Sequence, residues 1–474
     1  MMTSPVIQPN QVGQSSQVSQ QTQGYDYSGV EESLRPNKPE NRILTPLSFG
    51  LMFAGDGVSL GNMAIGTGLV VAGTATMNLL QTIVSLLIAT TIIGGAFLLN
   101  DGFGYRAGVP YVIHLRMAFG MKGAIISSIM RGVPAIIWYG FQSWIGATGL
   151  SEIIKIATGG KIDSIPISFV ILVLLQIVLS LKGFHTIKWM NSLIAITLMS
   201  AFIYAFVVIL KDHTSVIHST WVEAKGTWGL PFWSFTMAFL GNYAALFLSA
   251  SDYSRELKEG VSAPKRFLMY FTPVTVAYLT IMSIGVMLAA ATGLANPVQA
   301  FAQIVNNDYI TFIVSVFIVL GAVGVNLVAN IVPAAYIIQL FTKVKYKVSV
   351  VIAGLLAMVS FPWKLIQPGS SDGLRIFILT YSAFLAPITA ILVVDYILLR
   401  KKKVDINELY NPNGQFSGLN MAAVIAMVIG AASAFTVVDL GWPIGLVVGG
   451  ISYYLLNKYG FKQSVFKKGT IFEK

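Results

Sequence analysis

The sequence predicts an all-α polytopic membrane protein with twelve transmembrane helices and both termini on the cytoplasmic side. Three observations carry this: scarce charge, twelve long apolar runs, and basic residues gathered on one side of those runs. Of 474 residues, 55% are hydrophobic and 11% charged, with a mean hydropathy of +0.71. Soluble domains carry about 25% charged residues. A chain with less than half of that cannot cover a water-facing surface, which excludes a soluble enzyme of this length. If each span takes ~22 residues, twelve take roughly 260, a little over half the chain. There is no cysteine, so thiolate catalysis, disulfides and thiolate metal clusters are excluded.

Residues 1–44 are rich in Gln, Ser and Pro and too poor in apolar clusters to offset ordering entropy. They are expected to form a disordered cytoplasmic tail, with no apolar core that would make a cleavable signal. The apolar runs follow at about 46–73, 79–99, 123–155, 164–181, 187–210, 231–251, 268–292, 310–341, 348–366, 374–399, 418–437 and 441–459. The expected units are a first five-helix repeat at 45–210, a second at 231–400, and two extra helices with the C-terminus at 401–474. Several runs are long enough to span only if tilted or broken. None shows barrel alternation, and strands could not leave open edges in lipid.

The +11 net charge comes from 31 Lys and Arg against 20 Asp and Glu. With the N-terminus inside, only Lys155, Lys161, Lys211, Lys225, Lys364 and Arg375 fall outside and the other 25 lie inside. The excess therefore reads as a topology signal, not a nucleic-acid patch. A multi-pass protein of the cell membrane is expected, and the lack of a targeting segment suits a prokaryotic plasma membrane.

Glycines and polar residues interrupt two runs in corresponding positions. The first reads FAGDGVSLGNMAIGTG, with Gly55, Asp56, Gly57, Gly61, Gly66 and Gly68; the sixth reads FLGNYAALFLSASDYSR, with Gly241, Asn242 and Tyr243. Matched breaks of this kind point to an inverted-repeat transporter whose freed backbone groups meet a ligand or ion. Close helix packing is the alternative for any single glycine. In the third run Trp138 and Gln142 stand four apart on one helix face, a flat aromatic beside an amide that suits a planar polar ring. Aromatic stripes also serve as core or interface belt. The eighth run places Asn326 and Asn330 four apart, either paired with each other and the backbone or facing a polar ligand.

On these residues the chain resembles the nucleobase–cation symporter-1 family, the permeases for purines, cytosine, uracil, allantoin and hydantoins. The resemblance covers about residues 45–460 and rests on RMAFG (116–120), WYGFQSWIG (138–146), KWMN (188–191), FLGNY (239–243), VANIVPAAY (328–336) and VVDYILLRKKK (393–403). It implies a leucine-transporter-like fold, two inverted five-helix repeats plus two C-terminal helices, working by alternating access. By the same resemblance Trp138 is the stacking aromatic, Gln142 reads the ring's polar edge, and Tyr243 is a second stacking wall. Asn242, Asn330 and Ser59 complete the substrate set. The family's sodium positions fall on the backbone of Gly55, Val58 and Gly321 and on two hydroxyl positions that here are Gly324 and Val325. Three carbonyls are few for a hard cation, so coupling to a proton, or to no ion, is expected ahead of sodium.

Asp56 is the expected proton carrier, because an intramembrane carboxylate is functional by default. It could instead only accept hydrogen bonds at the break, or pair with Arg131. Asp252 and Asp395, at helix ends beside basic residues, read as structural. His114, His185, His213 and His218 read as loop residues without metal spacing, and Gly102 and Gly104 as a loop after the second run. The expected function is import of a small planar nitrogen heterocycle across the cell membrane, with uracil, allantoin or a hydantoin ahead of adenine-type purines. An amino-acid or thiamine/pyridoxine-type vitamin carrier and a non-transporting sensor stand as rivals. No nucleophile–base pair is visible, so no enzyme is expected, and no cofactor. The expected partners are the heterocycle, H+ or Na+, and the bilayer.

Overall fold

The computed structural model describes residues 26–71, 74–181, 188–366, 373–461 and 464–473. Residues 1–25 of the expected tail, and His185, lie outside the described residues. Helical breaks and caps follow local chemistry. Thr45 caps helix α1 (Pro46–Gly57), its hydroxyl accepting from the Ser48 N–H with Pro46 at the first position. Helix α2 (Leu60–Thr67) continues the same span after the break. Asn78 and Gln81 form a reciprocal capping box at the start of α3 (Leu79–Ala107), which Gly108 ends in the left-handed conformation, φ 67°.

Next come α4 (Tyr111–Ala157), α5 (Ile165–Leu181) and α6 (Lys188–Asp212). The sixth span is divided into α7 (Leu230–Asn242), α8 (Ala244–Leu248) and α9 (Ala250–Ser254). It is followed by α10 (Ala263–Thr292) and the short α11 (Pro297–Val305). The eighth span joins α12 (Asp308–Val325) to α13 (Val332–Thr342) through a π-helical segment at Asn326–Ile331. Helices α14 (Tyr346–Met358), α15 (Gly373–Val393), α16 (Met421–Ala434) and α17 (Gly441–Tyr459) complete the bundle. Each of the twelve apolar runs carries a described helix, while the short α11 lies between the seventh and eighth. Among the described residues, extended chain pairs at Val70–Val71 with Thr74–Ala75 and at an isolated parallel bridge between Leu44 and Leu257.

Four expectations need correction. Helix α3 runs eight residues past the expected end at 99, so Gly102 and Gly104 are helical; Gly104 lets the helix meet Ser251, whose Cα would lie 2.5 Å from an added Cβ. Helix α4 begins at Tyr111, before the expected 123, and breaks at Gly120, where φ 77° admits only glycine without strain. His114 is therefore a buried helical residue, its Nδ1 2.9 Å from the Ser251 hydroxyl. The extension of α3 also brings Asp101 within a span, fully buried, where the Arg266 guanidinium (2.7 Å) and the Tyr270 hydroxyl (3.1 Å) donate to it.

The last correction concerns the tail, because residues 26–44 are ordered. Asn37 N donates to the Gly108 carbonyl (2.8 Å), Leu44 N to the Glu256 carbonyl (2.8 Å) and Tyr410 Oη to the Leu34 carbonyl (2.7 Å). The C-terminal residues reach the same face, with Ile471 N donating to the Leu399 carbonyl (2.8 Å). The described segments near both termini, 26–44 and 464–473, therefore lie on one face of the bundle, the terminal face. Apolar side chains such as Ile167, Ile171, Leu174 and Val178 on α5 point outward, where hydrocarbon is the fitting solvent.

Candidate functional site

The site grows from the two helix breaks. At the first, Val58 leaves the helical region (φ −83°, ψ 62°) and Ser59 is extended. The Ser59 hydroxyl accepts from the Asn62 N–H at 3.2 Å and so caps α2. Ser59 therefore has a capping role beside its expected place in the substrate set. Asn62, which the sequence reading missed, fills the break. Its Nδ2 donates to the carbonyls of Asp56 (3.1 Å) and Gly57 (2.8 Å), two acceptors that the interrupted helix cannot satisfy itself. Among the described residues no hydrogen bond reaches the carbonyls of Gly55 and Val58.

At the second break, Tyr243 separates α7 from α8, and Asn242 reaches across to the first. Asn242 Nδ2 donates to Asn62 Oδ1 (2.7 Å) and to the Tyr278 hydroxyl (2.5 Å), which leaves its Oδ1 as the open acceptor. Tyr381 fastens the third side: its hydroxyl lies 2.9 Å from the Gly241 carbonyl and 3.2 Å from that of Asn242, and accepts from Trp138 Nε1 at 3.2 Å. Trp138 is thereby held against the sixth-span break. Gln142, one turn further along α4, lies against Gly61, where an added Cβ would meet Nε2 at 2.5 Å. Among the described residues Gln142 makes no hydrogen bond, so its amide is free to read a ligand.

Asn330 donates to Asn326 Oδ1 (2.8 Å), and Asn326 Nδ2 in turn donates to the Ser143 hydroxyl (3.0 Å) and the Tyr139 carbonyl (3.2 Å). Ser143 Oγ is 2.7 Å from Gln176 Oε1. A relay of amides thus runs from α5 through α4 to the π-helical segment. The wider turn of that segment is a frequent feature of functional sites. The two asparagines pair with each other, and Asn330 keeps its own Oδ1 unused among the described residues.

Tyr243 departs from its expected role. Its ring is buried, edge-on to Tyr278 (5.3 Å, 70°) and Phe97 (6.2 Å, 72°), and makes no ring contact with Trp138. Trp138 itself packs on Phe141 (5.4 Å) and Phe377 (6.0 Å). Tyr243 is therefore enclosed where an open second stacking wall was expected. Its hydroxyl faces the Asp56 carboxylate without meeting hydrogen-bond geometry and has no other partner. The pairing of Asp56 with Arg131 does not occur, since no ion pair among the described residues includes either. Asp252 instead accepts from the Tyr111 N–H (2.7 Å) and Asp395 from Arg400 (2.7 Å) and Tyr453 (2.7 Å), both at helix ends. Gly321 lies buried within α12.

A family model described as "Permease for cytosine/purines, uracil, thiamine, allantoin" matches residues 36–456. The chain is 25% identical to the hydantoin permease of Microbacterium maritypicum, with 81% of each chain covered. It is likewise 25% identical to the allantoin permease of Bacillus subtilis, covering 90% of this chain and 93% of that one. Among solved structures, the inward-facing conformation of Mhp1 superposes with a TM-score of 0.80 at 23% identity, covering 94% and 96% of the two chains. At that identity the likeness concerns the fold.

Proposed function

The chain belongs to the family of permeases for cytosine/purines, uracil, thiamine and allantoin, and from that premise we propose that it imports a small planar lactam or ureide by alternating access. It is a multi-pass membrane transporter with a leucine-transporter-like fold and not an enzyme. The expected substrates are uracil, allantoin or a hydantoin. The relatives' names, hydantoin permease and allantoin permease, agree with that chemistry.

The observation that carries the proposal is the fastening of Trp138, through Tyr381, to the carbonyls of Gly241 and Asn242, with the unbonded Gln142 amide one turn away on the same face. A flat ring stacked on Trp138 brings its edge to that amide and to the acceptors Asn242 Oδ1 and Asn330 Oδ1. A ring whose edge alternates N–H and C=O matches such a mixed set. Aromatic stacking of a base is worth about 1–3 kcal/mol, and two or three hydrogen bonds at about 0.5–1.5 kcal/mol each bring the total to at most ~7.5 kcal/mol, the low-micromolar limit. Tyr243, enclosed beside Asp56, is read as a partner of that carboxylate in place of a stacking wall, and Ser59 as a cap that holds the break.

The proposed coupling ion is the proton, carried by Asp56, whose carboxylate lies at the first break opposite the Tyr243 hydroxyl. The two carbonyls without hydrogen bonds at Gly55 and Val58 favour a second reading, a sodium ion held there with Gly321. The terminal face is assigned to the cytoplasm on the Lys and Arg bias, with the repeats at 45–210 and 231–400. Uptake of labelled uracil, allantoin and hydantoin into proteoliposomes under imposed pH or sodium gradients tests both levels. Accumulation driven by an inward proton gradient is expected. Accumulation driven by sodium alone supports the second reading, and no uptake of any of the three contradicts the substrate class.

A further inference from the structure

Below Trp138, toward the terminal face, the same face of α4 carries polar groups that the proposed binding site does not use. At 100° per residue, Ser127, Ser128, Arg131, Trp138 and Gln142 fall within about a third of the helix circumference. All five are buried. Arg131 makes one long hydrogen bond, Nη2 to the Ala329 carbonyl at 3.4 Å, and its Nε has no partner. The hydroxyls of Ser127 and Ser128, one turn nearer the terminal face, have none either. The same holds for the hydroxyl of Tyr111, which lies within electrostatic reach of Arg131.

Buried polar groups are ordinarily satisfied, and each exception calls for an explanation. A guanidinium within a span is costly unless it pairs or lines a polar path. Here four orphaned groups, every one able to donate, stand in a column continuous with the stacking residue and adjacent in space to Ala329, the neighbour of Asn330. A ligand that satisfies them is rich in acceptors. The Arg131 guanidinium and the serine hydroxyls, one turn apart, can each donate to a separate carbonyl of a ring that carries two.

We infer that Arg131, with Ser127 and Ser128, forms a second subsite that receives the carbonyl oxygens of the ring as it leaves Trp138 for the terminal face. The inference rests on the proposed lactam substrate. It adds a place for that ring along its route and a role for the one buried guanidinium on this helix face. Arg131 and Asp252 also lie within electrostatic reach of each other.

Transport kinetics measured separately from each face of proteoliposomes, with orientation read by labelling a cysteine introduced on the terminal face, test the subsite. Arg131→Gln is expected to raise the KM for labelled uracil, allantoin or hydantoin presented at the terminal face by ~10-fold, the loss of a charge-assisted hydrogen bond. The KM from the opposite face stays within about twofold, because the Trp138 site is untouched. Arg131→Lys keeps the charge but loses the fork, and Ser127→Ala with Ser128→Ala removes the flanking donors; each is expected to give an intermediate, equally one-sided effect even if the glutamine variant folds poorly. Equal changes at both faces, or none at either, overturn the subsite while leaving the proposed function intact. If the wild-type protein carries none of the three rings, both fall together.

Discussion

Asn242 donates its side-chain amide to Oδ1 of Asn62 at 2.7 Å, and this single bond joins the break in the first span to the break in the sixth. Asn62 spends its own Nδ2 on the carbonyls of Asp56 and Gly57. One side chain thus satisfies the acceptors that the broken helix exposes and positions the Asn242 amide, a proposed ligand contact. Asn62→Ala leaves two carbonyls and one N–H without partners, at about 1–3 kcal/mol for each buried group left unsatisfied. The expected result is a lower unfolding temperature in detergent and a loss of uptake larger than for Asn242→Ala, which orphans fewer groups.

Trp138→Ala removes the stacking surface and is expected to raise KM by roughly 5- to 150-fold, the equivalent of 1–3 kcal/mol. Tyr381→Phe leaves the ring in place but cuts the bond from Trp138 Nε1 and the anchors on Gly241 and Asn242. A smaller rise in KM is expected there, with a lower unfolding temperature, because one N–H and two carbonyls lose a buried partner. Steady-state uptake kinetics separate the two.

The amide relay sets where Asn330 points. Ser143→Ala withdraws the group that receives Asn326 Nδ2 and leaves Gln176 without its bond. Asn326 can then turn, and with it Asn330. The expected outcome is a change in the ratio of kcat/KM between uracil and allantoin, with total protein stability altered by about 1 kcal/mol. Competition uptake with the two rings reads that ratio.

Helices α2 and α10 meet backbone to backbone. A Cβ on Gly66 would lie 2.4 Å from the Met282 carbonyl, and one on Gly285 2.4 Å from the Met63 carbonyl. Gly66→Ala and Gly285→Ala must each push the helices apart, at a cost of about 1–3 kcal/mol for overpacking. Lower unfolding temperatures for both are expected, along with reduced uptake, because α2 bears one side of the first break.

Asp56→Asn keeps the shape of the carboxylate and removes its titration. Exchange of labelled for unlabelled ring across the membrane should persist while accumulation driven by a pH gradient disappears. Full gradient-driven accumulation by this variant contradicts proton coupling through Asp56.

The sequence made the architecture legible because lipid imposes a simple grammar: long apolar runs, few charges, and glycine breaks. Trp138, Gln142, Asn242 and Asn330 stand out in the sequence by type and position, but their expected roles come from the family resemblance. Asn62, Tyr278 and Tyr381 do not stand out, since a lone Asn or Tyr in an apolar run has no periodicity that declares its partner; their roles appear only once three spans are brought together. The extension of α3 to Ala107 was hidden for a related reason. Asp101 and Arg106 look like loop charges until Arg266, 165 residues away, closes on Asp101. The ordered segment 26–44 was missed because it is held by backbone hydrogen bonds and a few polar side chains, which composition does not reveal. Tyr243 shows the opposite error: a residue aligned with a stacking position is turned by its neighbours Phe97 and Tyr278 toward Asp56.

Counterflow in proteoliposomes tests the central claim most directly, because it needs neither the right ion nor the right gradient. Vesicles preloaded with unlabelled uracil, allantoin or hydantoin are expected to draw in the same labelled ring transiently, and Trp138→Ala vesicles should not. No counterflow of any of the three rings by the wild-type protein, or counterflow undiminished in Trp138→Ala, would contradict the account.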